Sequence, residues 1–337
     1  MLLVTSERFE EHVTPPGHPE RMERARVFTA VSGRRIKAGA RALAPRPATR
    51  DELARVHDAE YLDALAMIAG RAVSLDADTY TSPESMEVAA LAAGAAIQAA
   101  EHALAHSEAA FALVRPPGHH AERDRAMGFC FYNNIAVAAA AARASGIPRI
   151  AIVDIDVHHG NGSQWMFYDD PSVLYISSHQ FPFYPGTGAA HEIGSGAGKG
   201  FTVNVPLEAG ATDADYTLAY DAIVLPVLEQ FQPALTLVSA GFDAHDRDPL
   251  ASMRMTSEGY GSIVSRLALV AKRHGALALV TEGGYDLSAL EACLEESLNA
   301  AESTASRPAP PSALGPAPRG ERAVAAVRAA QQGLWKL

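Results

Sequence analysis

Five short apolar runs punctuate this chain: AFALV (110–114), IAIVDIDV (150–157), SVLYIS (172–177), ALTLVSA (234–240) and ALALVTE (276–282). None alternates apolar with polar residues, as a strand wetted on one face would. A continuous apolar strand is one buried on both faces, the situation of a parallel sheet between two helical layers. Segments with helical periodicity or strong helix formers lie between the runs, at 85–106, 134–145, 213–231 and 256–274. This alternation predicts an α/β fold, an open parallel β-sheet flanked by helices. With 337 residues, 48% of them hydrophobic, the chain has material for one large core.

The residues that follow each run carry the chemistry. AFALV leads into RPPGHH, IAIVDIDV into HHGNG, SVLYIS into SHQF, ALTLVSA into GFDAH, and ALALVTE into GGYD. In open α/β sheets ligands bind at the carboxyl ends of the strands, so the active site is expected there. The stretch IVDIDVHHGNG puts Asp154 and Asp156 inside a run that reads as buried. A buried carboxylate costs several kcal/mol unless it is paired or binds a metal. A single such Asp is ordinarily a helix cap or an ion-pair partner, but no run of Arg or Lys stands at the matching strand ends. Read as one strand, Asp154, Asp156 and His158 share a face and make a cation site, with two of them on the metal and the third in support. Asp243 is the natural further ligand from a neighbouring strand end.

His119 and His120 are presented by a Pro-Pro-Gly turn and suit proton transfer. Tyr285 can donate to a developing oxyanion, and Gly283 and Gly284 allow close backbone approach to a ligand. Aromatics beside glycines, Phe129 and Phe131 near Gly128 and those of PFYPGTG at 182–188, can wall a narrow apolar channel. Cys130 reads as an inert buried thiol, and no G-x-S-x-G elbow is present.

A net charge of −11 gives no basic footprint, so no direct nucleic-acid partner is expected; a cationic substrate is compatible with it. Two distant cysteines, Cys130 and Cys293, argue against a disulfide framework. MLLVTSERFEEH is read as lacking a signal peptide, the run from Ile135 is too short to span a bilayer, and a cytoplasmic protein with no membrane partner is expected. Residues 1–302 are taken as the catalytic domain. Residues 303–321, rich in Pro and Ala, are a linker or wrap, and 322–337 a helix packing on the same domain through Val324, Val327, Leu334 and Trp335. A homo-oligomer is allowed.

Taken together, the blocks RPPGHHAERDRAMGFCFYNN, IVDIDVHHGNG, SSHQF…YPGTG, SAGFDAH…DPL and EGGYD resemble the histone deacetylase superfamily, which includes acetylpolyamine amidohydrolases and acetoin-utilisation proteins. The resemblance runs from about His18 to Asp286, and HHA-x₅-MGFCF and HHGNG look most like the class II branch and its bacterial histone deacetylase-like amidohydrolases. It implies a single-domain arginase-like fold with one catalytic Zn²⁺ on Asp156, His158 and Asp243. It implies His119 and His120 as the catalytic pair, supported by Asp154 and Asn161 respectively, and Tyr285 as the transition-state tyrosine. Phe129 and Tyr184 correspond to the channel walls, and Gly128 to the backbone position receiving the substrate chain. Structural K⁺ is implied at an inner site (Asp154, Asp156, His158, Ser177, Ser178) and an outer one (Phe167, Asp170, Val173, Phe201).

The expected reaction is hydrolysis of an N-acyl amide, foremost deacetylation of acetyl-lysine in proteins or peptides. An Asp₂His set is hard enough for Fe²⁺ or Co²⁺ in place of Zn²⁺. The alternative substrate is a small acetylated amine such as an acetylpolyamine; Leu250, where polyamine-selective members tend to place a Glu, argues against it. A catalytically silent metal-binding scaffold is the alternative of another class.

Overall fold

The structure, a computed structural model, describes residues 1–303 and 315–337. Its centre is one eight-stranded sheet: β1 (Leu2–Val4), β2 (Arg41–Leu43), β3 (Ala110–Ala112), β4 (Ile150–Asp154), β5 (Val173–Gln180), β6 (Thr202–Leu207), β7 (Leu235–Ala240) and β8 (Ala276–Thr281). All pairings are parallel, in the order β2-β1-β3-β8-β7-β4-β5-β6. This is the open, helix-flanked sheet expected.

Alternate residues of each strand feed two separate cores. Ile150 and Ile152 of β4 and Leu235 and Leu237 of β7 join one core. Ala151 and Val153 of β4 and Val238 of β7 join the other. The first core is closed by the helices Ser85–His106 and Asn134–Ala144, the second by Glu23–Lys37, Ser257–His274 and Leu287–Glu302. With both faces covered, the strands need no polar side.

The helix Ser85–His106 is long and apolar enough by length and composition to cross a membrane, so the run from Ile135 is not the one to weigh. Of its apolar window, 67% is buried inside this molecule, the behaviour of a core helix.

Three strands lie outside the apolar runs: β1, β2 and β6. The run 150–157 stops being a strand at Asp154, so Asp156 and His158 sit on the loop beyond it, and strand alternation does not place them. The helix expected over 213–231 is interrupted by a π turn at Tyr220–Val224. Of the expected linker, residues 304–314 lie outside the described residues. The final helix spans Pro318–Ala330, earlier than 322–337. It buries Ala323, Val324 and Val327, and the Arg319 and Gly320 N–H groups donate to Asp215 Oδ1 at 2.9 and 2.8 Å. Leu334 is 39% exposed, outside the core expected for it.

Candidate active site

The strands β3, β8, β7, β4 and β5 are consecutive in the sheet, so the five chemistry-bearing segments meet at one edge. Asp156, His158 and Asp243 come together there, all buried, each with a ligand atom within 4.8 Å of the others. His158 Nδ1 lies 3.2 Å from Asp156 Oδ1 and 3.1 Å from Asp243 Oδ2. The backbone was shaped around these carboxylates. A Cβ on Gly283 would fall 2.2 Å from Asp243 Oδ2 and 2.7 Å from Asp156 Oδ2, so only glycine fits. The Gly283 N–H donates to Asp156 Oδ2 at 2.8 Å, and Val157 N–H to Asp243 Oδ1 at 2.8 Å.

The electrostatics ask for a cation. Burial, and then the charge of Asp156, push the Asp243 carboxyl up to about 7. Burial lowers His158, but Asp156 and Asp243 outweigh it and raise it to about 10. Two buried carboxylates thus share one imidazole and demand a positive charge, and a divalent ion meets that demand. Two hard oxygens and one imidazole are a donor set suited to Zn²⁺, Fe²⁺ or Co²⁺.

The tandem histidines are oriented differently. His119 Nδ1 is 3.0 Å from Asp154 Oδ2. Burial lowers its pKa, but Asp154, Asp156 and Glu282 raise it well above the usual value. His120 Nδ1 is 2.8 Å from Asn161 Oδ1. The Asn161 amide donates to Glu122 Oε1 at 2.6 Å, which turns the Asn161 oxygen toward His120. His120 therefore carries its proton on Nδ1, leaving Nε2 a bare acceptor. Burial, then the charges of His119 and His158, hold it well below the usual range. Neighbouring imidazoles pushed in opposite directions make an acid–base pair.

Above them is a cavity of about 230 Å³ lined by Asp78, Pro117, His119, His120, Gly128, Phe129, His158, Phe183, Tyr184, Leu250 and Tyr285. Larger clefts of about 420 and 510 Å³ exist, the second sharing Leu250 and Tyr285 with this cavity, but neither is lined by His119, His120 or His158. Phe183 stacks on His158 at 5.4 Å, and Tyr184 meets His120 edge-on at 5.2 Å. Tyr285 is held edge-on by Phe129 at 5.9 Å and beneath the Arg24 guanidinium at 5.1 Å. Burial, partly countered by Arg24, raises its phenol well above the usual value, so it is an O–H donor. Gly128 adopts φ +55°, and a Cβ there would fall 2.4 Å from His120 Cδ2.

A family profile described as "Histone deacetylase domain" matches residues 18–301. The chain belongs to the histone deacetylase family. It is 41% identical over 291 residues to the "Probable deacetylase" of Archaeoglobus fulgidus, covering 85% of this chain and 81% of the relative. It is 44% identical over 295 residues to the "Histone deacetylase-like amidohydrolase" of Pseudomonas aeruginosa, covering 83% and 77%. The crystal structure of the HDA15 HD domain superposes with a TM-score of 0.91 at 37% identity, covering 99% of this chain and 94% of that one. The fold is thus the arginase-like α/β fold of histone deacetylases, and the chain is a hydrolase of amide bonds.

Some positions differ from the sequence reading. Gly283 and Gly284 do not line the cavity: Gly283 abuts the carboxylates, and Gly284, at φ +118°, packs on Phe242 and Leu290. Phe131 is wholly buried in the core rather than in the channel, and the aromatic on the His158 side is Phe183. His159 does not join the metal trio; it bonds Thr187 and Gln164 at 2.7 and 2.9 Å.

Residues outside the sequence reading complete the frame. Glu282, the first letter of EGGYD, is fully buried and accepts the Gly118 and His119 N–H groups at 2.6 and 3.2 Å, holding the tandem-histidine turn. Burial raises its carboxyl to about 7. Glu20 accepts from Nε and Nη2 of Arg115, each at 2.7 Å, and from Arg24 at 3.0 Å, all three residues fully buried. The only signal for these was their place inside blocks that carried other chemistry.

Proposed function

We propose that this enzyme removes the acetyl group from the ε-nitrogen of lysine side chains in proteins or peptides, with Zn²⁺ held by Asp156, His158 and Asp243. The observation that carries the reading is the cavity: narrow, walled by Phe129, Phe183 and Tyr184, and ending on His158 of the Asp156–His158–Asp243 trio, the histidine pair and the phenol. Such a channel admits an unbranched alkyl chain with an amide at its tip.

When bound, the metal supplies Lewis acidity to the amide carbonyl and to the attacking water. His120 offers Nε2 to take the water proton and returns it to the leaving amine. His119, cationic beside Asp154, adds positive charge near the developing oxyanion. The Tyr285 hydroxyl donates to that oxygen as its charge grows. Gly128 and the aromatic walls hold the alkyl chain and exclude water.

One observation favours a second substrate. The Asp78 carboxyl lines the cavity and would attract a cationic amine, so an acetylated polyamine is the competing reading. Acetate release from an acetyl-lysine peptide and from an acetylpolyamine, with Tyr285→Phe as control, separates the two. Faster turnover of the peptide is expected; faster turnover of the polyamine overturns the assignment.

The inner K⁺ seat is read at the carboxyl ends of β4 and β5, where Asp154 pairs with Ser177 in register beside Asp156, His158 and Ser178. The turn that gathers Phe167, Asp170 and Val173 next to Phe201 supports the outer one. Cys130 and Cys293 are buried free thiols, which suits a reducing cytoplasm. The contacts of Arg319 and Gly320 with Asp215 support counting the final helix in the catalytic domain.

A further inference from the structure

We infer that Asp248 is a positioning residue for the catalytic phenol, tying Tyr285 and the mouth residue Leu250 into one unit. The inference rests on the role given to Tyr285 above.

Tyr285 follows Gly283 and Gly284, and Gly284 stands at φ +118°, a region few side chains favour. The backbone leading to the phenol is therefore intrinsically permissive, and something must fix it. On one side the Gly283 N–H is held by Asp156 Oδ2 at 2.8 Å, and the Gly284 carbonyl by Arg24 Nε at 2.8 Å. On the other side the fixed point is Asp248. Its Oδ2 accepts the Tyr285 N–H at 2.6 Å and the Asp286 N–H at 3.3 Å. Its Oδ1 accepts the Leu250 N–H at 3.0 Å. Asp248 is itself 6% exposed, and its own N–H donates to the His245 carbonyl at 2.9 Å.

Three backbone donors from two loops thus converge on one carboxylate. Only an ionised carboxylate accepts on both oxygens; an amide accepts on one. The Gly283 carbonyl also accepts the Phe242 N–H at 3.1 Å, but the Tyr285 N–H itself is held by Asp248, and the ring adds packing partners. The same carboxylate fixes the Leu250 backbone, and Leu250 lines the channel together with Tyr285. One side chain therefore ties the phenol to a channel residue.

The test is a double-mutant cycle on the Zn²⁺-reconstituted full chain with an acetyl-lysine peptide, reading kcat and KM separately. Asp248→Ala is expected to lower kcat by roughly 10²-fold, the scale of an ångström-level misplacement, with a much smaller change in KM. In a Tyr285→Phe background the same substitution is expected to cost almost nothing further, because the hydroxyl it positions is already gone. Asp248→Asn, whose carbonyl can still serve the Tyr285 and Asp286 N–H groups, is expected to stay within about tenfold of wild type. It also keeps the cycle readable should the alanine variant fail to fold. Equal losses from Asp248 substitution in both backgrounds, or a loss confined to KM, overturn the inference while leaving the role of Tyr285 intact. Wild-type turnover by Tyr285→Phe alone overturns that role instead.

Discussion

At the scale of single residues, the site separates groups that touch substrate from groups that aim them. In the proposed mechanism Tyr285 is in the first class. Tyr285→Phe keeps the ring's contacts with Phe129 and Arg24 and loses only the donor, so the protein should fold with unchanged thermal stability. Its kcat should fall by roughly 10²- to 10³-fold, about 3 kcal/mol of barrier. Glu122 is in the second class. Without it, the Asn161 amide nitrogen keeps only the longer contacts to the His120 carbonyl at 3.5 Å and Met127 Sδ at 3.4 Å, and its oxygen is held less firmly on His120. Glu122→Ala should lower kcat about tenfold, since one misdirected hydrogen bond is at stake. Steady-state kinetics with a circular dichroism melt checks both variants, and an undiminished kcat in either refutes its assigned part. The residues in the first class were legible in sequence because Asp, His and Tyr are anomalous at the ends of apolar runs. Of the second class, only Asp154 and Asn161 were, and Asn161 only through the family resemblance. Glu122, Glu282 and Asp248 act through backbone amides or another side chain, and no spacing in a linear sequence encodes which distant N–H a carboxylate will accept.

Among elements, the five runs recognised in sequence are the five central strands, buried on both faces and therefore continuously apolar. β1 and β2 have three residues each, and β2 is exposed throughout, so neither offers a pattern to detect. β6, TVNVPL, is interrupted by Asn204 and Pro206 at the sheet's edge. Loops rather than strands set the site, and their anchors predict its stability. His57 Nδ1 is 3.0 Å from the Glu122 carbonyl, and its Nε2 accepts the Asn133 N–H at 3.0 Å, pinning both ends of the segment that carries Gly128 and Phe129. Burial, against the Glu122 carbonyl, lowers its pKa to about 4. Below the ordinary histidine value of about 6.5 the unfolded chain takes up a proton that the folded chain refuses. The contribution of His57 is therefore complete above about pH 6.5 and is lost as pH falls toward 4, some 3 kcal/mol in all. Urea unfolding at pH 7.5 and pH 5 should show this slope, and His57→Gln should reduce it, the remainder coming from His12, His159 and His179, which burial also lowers. A variant as acid-sensitive as wild type contradicts the account.

At the scale of the whole molecule, the N-terminal segment, the turn after β3 and the loop after β8 are joined by one buried ion cluster. Glu20 holds Arg115 and Arg24; Arg115 also donates to the Phe9 and His12 carbonyls, and Arg24 to the Gly284 carbonyl. Glu20→Gln leaves two buried guanidinium groups short of a countercharge and should destabilise by about 3–5 kcal/mol. The proposed metal site has the same global reach, because its ligands come from the loops after β4 and β7 and its backbone donors from the loops after β4 and β8. Without a divalent cation, Asp156 and Asp243 are two buried like charges sharing one imidazole. A cation at about 100 times its dissociation constant adds about 2.7 kcal/mol to folding stability. For a protein of this size that is a rise in Tm of roughly 4 °C. Calorimetry of Zn²⁺-loaded and chelator-stripped protein should show this difference, and Asp243→Asn should erase most of it. The asparagine removes one negative charge, so the stripped variant should also melt higher than the stripped parent. A stripped parent that melts with the loaded protein means that the trio is balanced by its own protons and that metal affinity contributes nothing to the fold.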